Sequence, residues 1–486
     1  MTTTQQSSHP LSSFPDTPGF TNLNRPMRTE LDVFELEWKG DLPEGISGGF
    51  YRCGPDPQFP PKAGDDIYVN GDGVVSMFRI ADGHVDLKIR YVRTDKFQAE
   101  RFARRALFGA YRNPYTDDPS VAGVDRTTAN TSILRHAGRT FALKEDGLPH
   151  EIDPTTLETI GKFDFEGRLR SKTFTAHPKT DPVTGELVFF GYSAKGDELS
   201  TDIALCTASA DGELTSEQWF LPPYGSMVHD WLVSAEHVIF PVMPLTTDPE
   251  RLQAGGPRWL WDGARRTALG VLRRGAPAEE IRWFDGPPRW SFHTMNAVTR
   301  DNVVTLDLCV SHRAPFPDTE GEMFEPKDVK QYLTRWTCDL DGDNPQFTEE
   351  RLWDDCSVDF PVIDSRYLGR EYRHGFMAAQ DPSKPLHPQL LGGLYFNSLA
   401  HFDHATGEAE VWYAGEDASV QEPAFVPRSP DAPEGDGYLL SVVDRVPFDH
   451  AELVILDTAR FSAGPVATVT IPLFLRPTFH GIWVAD

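Results

Sequence analysis

The sequence predicts an all-β protein, with a β-propeller as the leading architecture and a pair of sandwiches as the runner-up. Three observations carry this. From Leu31 onward, short runs rich in Val, Phe, Tyr and Thr alternate with clusters of Gly, Asp, Asn and Pro, and 39 Gly and 40 Pro are spread through the 486 residues. One format recurs: a strand, a turn carrying Asp with Gly or Thr, and a second strand. No linker of shifted composition divides the sequence, although about 150 residues per domain would suggest three domains. Radial repetition of small sheets accommodates all three observations in one large domain.

In sequence order the hairpin formats are FRIADGHVDLKIRYV, HEIDPTTLETIGKF, FTAHPKTDPVTGELVFFGY, LCTASADGELTSEQWF, TCDLDGDNPQFTEERLW, LAHFDHATGEAEVWY and LVILDTARFSAGPVATVTI. Their spacing is irregular, so the number of blades does not follow from it. Two stretches break the pattern. Ala99 to Tyr111, AERFARRALFGAY, spaces its apolar residues as a helix does, and Asp248 to Gly275 is a long Arg-rich segment. Insertions of this length on a β scaffold either cover and build a site or are solvated excursions. The first 18 residues are polar and Pro-rich, with no basic start and no apolar core, and are expected to form a disordered tail and not a signal peptide. A single propeller domain with cap insertions is then expected over 19–486.

Composition narrows the function classes. The net charge is −27, which disfavours nucleic acid and anionic membrane surfaces as partners, since both reward a cationic face. No apolar run is long enough to span a bilayer. Five cysteines, Cys53, Cys206, Cys309, Cys338 and Cys356, stand far apart without a CxxC pair, which argues against a thiolate metal site or a disulfide framework and for a reducing, cytoplasmic compartment.

Of fifteen histidines, His9 sits in the tail and His84, His136, His237, His401, His404 and His450 sit at or near polar turns. Four differ: His177 in KTFTAHPK, His229 in YGSMVHDW, His293 in RWSFHTMN and His480 in PTFHGIW lie in aromatic or apolar strand-like sequence, where a buried imidazole needs a partner. Their separations of 52, 64 and 187 residues exclude a local finger, so they meet only if distant strands converge, as inner strands do on a propeller axis. Glu145 in FALKEDGLP, Asp359 in SVDFPVID and Glu422 in VQEPAFVPR stand in comparably apolar surroundings. A metal-bound imidazole usually gives its second N–H to a carboxylate or carbonyl, which orients the ring and raises its basicity.

At these residues the sequence resembles the carotenoid cleavage oxygenase superfamily, and within it the branch of lignostilbene dioxygenases and isoeugenol monooxygenases. GGFYRCGPDPQFPP, VNGDGVVSMFRI, LFGAYRNPYTDDPS, KEDGLPHEIDPTTLET, the four histidine contexts and QEPAFVPRSPDAPEGDGYLLSVV carry the resemblance across nearly the whole sequence after the tail. It implies a seven-bladed β-propeller capped on one face by loops and short helices, with iron(II) on the axis held by His177, His229, His293 and His480. Glu145, Asp359 and Glu422 would support those imidazoles. Asp359 stands where the family commonly has Glu, one methylene longer, so a water is expected to bridge the gap.

In the aromatic branch a Tyr and a Lys grip the phenolic oxygen of the substrate; the matching residues are Tyr111 and Lys144. If Lys144 and Glu145 lie in a strand, their side chains face opposite ways, one into the substrate pocket and the other to the metal. Val69 stands where stilbene cleavers often carry a Phe that stacks on the substrate ring. The implied reaction is oxidative cleavage, by dioxygen and without an organic cofactor, of an alkene conjugated to a 4-hydroxyphenyl ring (isoeugenol, 4-vinylguaiacol or resveratrol type), giving aldehydes such as vanillin. Two other readings remain at this level: carotenoid or apocarotenoid cleavage on the same scaffold, and a metal-free propeller acting as a binding scaffold.

Overall fold

The computed structural model describes residues 13–64, 66–197, 199–390, 395–447 and 449–486. Seven antiparallel sheets stand around a central axis as the blades of a propeller, as the resemblance implies. All seven hairpin formats form hairpins. Blade 1 is built on Gly48–Pro55, Gly73–Ala81 and His84–Tyr91. The others run from Ser132–His136 to Thr159–Lys162 (blade 2), Lys179–Thr180 to Leu214–Phe220 (blade 3), Leu232–Val233 to Arg282–Gly286 (blade 4), Thr294–Arg300 to Thr348–Trp353 (blade 5), Ser357–Ile363 to Glu408–Tyr413 (blade 6) and Ala418–Val420 to Pro465–Ile471 (blade 7). The inner strands touch across blade boundaries: Thr294–Arg300 lies between Leu232–Val233 and Ser357–Ile363, and His480–Ala485 lies between Ala424–Pro427 and Ser132–His136.

Strands from near the two termini close the ring. The last strand, His480–Ala485, pairs antiparallel with Gly48–Pro55 as the inner strand of blade 1, which sets His480 opposite Cys53. In exchange Trp38–Gly40 pairs with Pro465–Ile471 at the outer edge of blade 7. Apolar residues of blades 1 and 7 pack into one shared core, Phe50, Phe78 and Leu87 against Leu440, Leu453 and Val469. The blade that supplies His480 is thus fixed by long-range pairing.

The irregular stretches depart from expectation in three places. A helix forms over Asp95–Ala103 and does not continue to Tyr111. Thr94 caps its start, and Arg104 ends it in the left-handed conformation at φ 57°. Glu100 then accepts the N–H groups of Leu107 and Phe108, which turns the backbone off the helix axis. Within Asp248 to Gly275, Thr267–Arg273 proves to be the third strand of blade 4. The insertion proper is the helix Pro249–Gln253 with a ribbon of Leu245–Thr246 and Leu260–Trp261. It docks on the loop after the first helix, where Asn113 Nδ2 donates to the carbonyls of Leu252 and Gly256 at 3.0 and 2.8 Å. Of the expected tail, residues 1–12 lie outside the described residues, whereas residues 13–18 are held in place. Phe14 packs on Phe20 with ring centroids 5.7 Å apart, and the Thr17 and Pro18 carbonyls accept from Thr21 and Asn24. The five cysteines are free and buried, and among the described residues no helix is long and apolar enough to cross a membrane.

Candidate metal centre and substrate pocket

Each of the four histidines stands at the axial start of an inner strand. His177 precedes Lys179–Thr180 in blade 3, His229 precedes Leu232–Val233 in blade 4, His293 precedes Thr294–Arg300 in blade 5, and His480 opens the strand that completes blade 1. One ring nitrogen of each lies within 4.8 Å of the others. His177 and His229 face each other through Nε2 atoms 3.2 Å apart. Imidazole is a borderline ligand, and four of them around one point suit a divalent transition metal.

The acids come from the remaining blades. Glu145 follows Arg139–Leu143 of blade 2, Asp359 lies in Ser357–Ile363 of blade 6, and Glu422 lies between Ala418–Val420 and Ala424–Pro427 of blade 7. Glu145 Oε2 meets His229 Nδ1 at 2.8 Å, Asp359 Oδ1 meets His293 Nδ1 at 2.8 Å, and Glu422 Oε1 meets His480 Nδ1 at 2.7 Å. Each contact puts the proton on Nδ1 and leaves Nε2 as the lone-pair donor. Seven blades therefore contribute one residue apiece, four imidazoles and three acids. His177 is the one left over, and the Asp230 carboxylate stands 3.9 Å from its Nδ1, beyond a direct hydrogen bond.

Asp359 needs no bridging water, contrary to the expectation from its shorter side chain. A bulge between Asp359 and Val362 shifts the register of the strand, and Phe360 adopts φ 53°, unusual for an aromatic residue. With the backbone so shaped, the Asp359 carboxylate meets His293 Nδ1 directly. The Phe360 ring lies on the His293 imidazole, with centroids 4.7 Å apart and planes at 25°.

Burial and the neighbouring imidazoles hold His177 and His480 well below the usual histidine range, so both rings are neutral, as ligands must be. For Glu145, burial favours the neutral acid, but His229, Arg112 and Lys144 outweigh it and keep the carboxyl at about 2. Glu422 goes the other way: burial dominates, and Arg52 and the Gly481 N–H offset it only in part, which leaves it at about 7. A divalent ion among the imidazoles would favour the ionised form of every one of these acids.

The three residues expected at the substrate end also come together. Lys144 and Glu145 lie just past the end of Arg139–Leu143, in a turn and not in a strand, yet their side chains diverge. Lys144 Nζ donates to Thr128 Oγ1 at 2.8 Å, lies 3.5 Å from the Val69 carbonyl and stands 5.3 Å from the centre of the Tyr111 ring. Val69 is held in the short 3-10 helix Tyr68–Asn70 by Asn130 Nδ2, which donates to its carbonyl at 2.9 Å. Burial lowers the Lys144 ammonium, against the pull of Asp146 and Glu145, and burial raises the Tyr111 hydroxyl.

Several contributors carried no motif of their own. Arg112 lies 3.7 Å from Glu145 Oε1 and donates to the Tyr192 hydroxyl, which in turn donates to Glu145 Oε1 at 3.0 Å. Phe292 stands edge-on to His229 at 5.6 Å. Arg112, Asp230, Phe292 and Phe360 are each the sequence neighbour of a residue already singled out, so adjacency was the available signal. Tyr192, at the end of a strand, offered none.

Four imidazoles on the axis of a β-propeller, three of them backed by carboxylates, could hold a metal ion. Residues 24–485 match the family model described as retinal pigment epithelial membrane protein. An isoeugenol monooxygenase of Pseudomonas nitroreducens is 46% identical over 462 residues, covering 94% of this protein and 96% of the relative. Lignostilbene-alpha,beta-dioxygenase isozyme III of Sphingomonas paucimobilis is 41% identical, covering 97% and 98%. The crystal structure of Pseudomonas brassicacearum lignostilbene dioxygenase superposes with a TM-score of 0.95 at 42% identity, covering 98% of this protein and 100% of that one. The protein belongs to the carotenoid cleavage oxygenase family and is an alkene-cleaving oxygenase. An oxygenase is not a mere binding scaffold, so that reading is set aside.

Proposed function

We propose that the protein cleaves the exocyclic carbon–carbon double bond of 4-hydroxyphenyl alkenes with dioxygen, using iron(II) held by His177, His229, His293 and His480. The observation that carries this reading is Lys144: a buried ammonium beside Tyr111, on the residue next to Glu145, so that one turn serves both the phenol end and the metal end. The activities for which the isoeugenol and lignostilbene relatives are named favour the same substrate class.

Iron(II), when bound, supplies the activation of dioxygen. The protein's own residues do the rest. Lys144 is buried, and burial lowers its ammonium although Asp146 Oδ2 stands 3.7 Å away, so an arriving phenolate and the ammonium stabilise each other. The Tyr111 hydroxyl, whose own ionisation burial opposes, stays protonated and donates to the same oxygen. Charge held on the para oxygen passes through the ring to the conjugated alkene and makes that carbon pair electron-rich. Scission converts the alkene into two carbonyl groups, an aromatic aldehyde such as vanillin and a second fragment, with dioxygen as the oxidant. Glu145, Asp359 and Glu422 hold the imidazoles in place throughout and bind no substrate.

The test is aldehyde release by iron-loaded enzyme from isoeugenol, 4-vinylguaiacol, resveratrol, a carotenoid and the 4-O-methyl ether of isoeugenol. A site built to bind a hydroxyl rejects the analogue lacking it by roughly 10^4-fold, because its buried donors are left unpaired. Equal rates on isoeugenol and its ether would refute the phenol grip, and turnover of the carotenoid alone would move the activity to that substrate class.

A further inference from the structure

His177 lacks a carboxylate of its own, and the contacts of Asp230 show what takes that place. Asp230 follows His229 directly. Its Oδ1 accepts from Lys179 Nζ at 2.9 Å and from the Trp231 N–H at 2.7 Å, and its Oδ2 accepts from both the N–H and the hydroxyl of Thr294 at 2.8 Å. Lys179 is two residues beyond His177, and Thr294 is the residue after His293. The same turn adds a further tie, since the Trp231 indole N–H donates to the His177 carbonyl at 2.9 Å. One buried carboxylate therefore joins the ligand-bearing segments of blades 3, 4 and 5, each within two residues of its histidine.

We propose that Asp230 is a positioning residue for the metal centre, which sets the spacing of His177, His229 and His293 by pinning their three strands to one carboxylate. The inference rests on the reading of those histidines as metal ligands. Its physical basis is the cost of the arrangement. A carboxylate this deeply buried is tolerated only with a full set of donors, and four converge on it from three blades. Glu145, Asp359 and Glu422 each orient one ring; Asp230 controls where the backbones that carry three rings stand. His177, held through its carbonyl and through Lys179 with no carboxylate hydrogen-bonded to its own Nδ1, depends on Asp230 most.

The test compares Asp230→Asn, Thr294→Val and Lys179→Met with the unaltered protein, after removal of bound metal, by titration with cobalt(II) followed through its visible absorption. Asp230→Asn keeps the shape but turns one acceptor into a donor facing Lys179 or Thr294. It is expected to lower cobalt affinity by about 10 to 100-fold, the usual range for a residue that supports ligands without touching the metal, and to change the absorption bands. The KM for isoeugenol should stay within about twofold while kcat falls, because Asp230 makes no contact with Tyr111 or Lys144. Thr294→Val, which keeps the N–H, and Lys179→Met should shift affinity in the same direction by about two- to tenfold, since each removes one side-chain donor from Asp230; they carry the test if Asp230→Asn does not fold. Unchanged affinity and bands in the folded variants, with only a lower melting temperature, would overturn the assignment and leave Asp230 as blade adhesive. An unaltered protein that takes up neither cobalt(II) nor iron(II) would instead overturn the metal reading beneath it.

Discussion

At the proposed metal end of the site every participating residue occupies a repeated place in the scaffold, the axial start of an inner strand or the acid facing it, one from each blade. At the phenol end Val69 lies in a three-residue 3-10 helix, Tyr111 in a loop docked against the insertion, and Lys144 in a turn past a strand. The first set is positioned by the ring as a whole, so its geometry is as rigid as the packing of seven sheets. The second is positioned by a few local hydrogen bonds, such as Asn130 to Val69 and Lys144 to Thr128. A scaffold divided this way can exchange substrates by altering loops while its metal chemistry stays fixed.

The division is broken most severely at the histidines. Replacing any one of the four by Ala is expected to abolish activity and remove most of the bound metal, as read by metal analysis of purified protein. The stability effects should then separate. His229→Ala, His293→Ala and His480→Ala each take the imidazole from a buried acid, at a cost of about 1 to 3 kcal/mol, whereas His177→Ala takes one from no acid and should melt closest to the unaltered metal-free protein. Equal destabilisation by all four would show that Asp230 depends on His177 as the other acids depend on their rings.

The phenol end should respond without disturbing the metal. Lys144→Ala is expected to reduce kcat/KM on 4-hydroxy substrates by roughly 10^2 to 10^4-fold, with metal content intact. Tyr111→Phe, which removes one hydrogen bond and keeps the ring, should cost about two- to tenfold. Loss of metal in Lys144→Ala would mean that the turn couples the two ends more tightly than its diverging side chains suggest.

The same division governs how much could be read from sequence. Inner-strand histidines and acids announce themselves because a polar residue in an apolar run needs a buried partner, and the seven hairpins follow from turn chemistry that is local. Which acid serves which ring is a matter of blade order, and no local pattern carries it: Glu145 of blade 2 reaches past blade 3 to His229 of blade 4. The helix end at Arg104 was hidden for a similar reason, since Glu100 turns the backbone by bonding forward to Leu107 and Phe108. Asp230 was missed because its partners, Lys179 and Thr294, are 51 and 64 residues away.

The finest test of the comparison is Asp359, where a local distortion sits inside the repeated metal end. Its carboxylate reaches His293 directly where the strand bulges and Phe360 takes up a left-handed conformation. If the bulge replaces a methylene, then restoring that methylene by Asp359→Glu should crowd the buried carboxylate against His293 and Phe360 and destabilise the protein by about 1 to 3 kcal/mol, the usual range for overpacking. The longer acid can still reach Nδ1, so metal affinity should fall by less than about tenfold, at or below the low end of the range for altered supporting residues. Asp359→Asn keeps the volume and can still accept from Nδ1–H while losing the charge, so it should melt nearer the unaltered protein than Asp359→Glu does. Thermal unfolding and cobalt(II) titration of the two variants read volume and charge separately. An Asp359→Glu variant that is more stable and binds metal more tightly than the unaltered protein would show the bulge to be independent of the shorter acid, and Phe360 would then be the residue that holds the strand in its strained conformation.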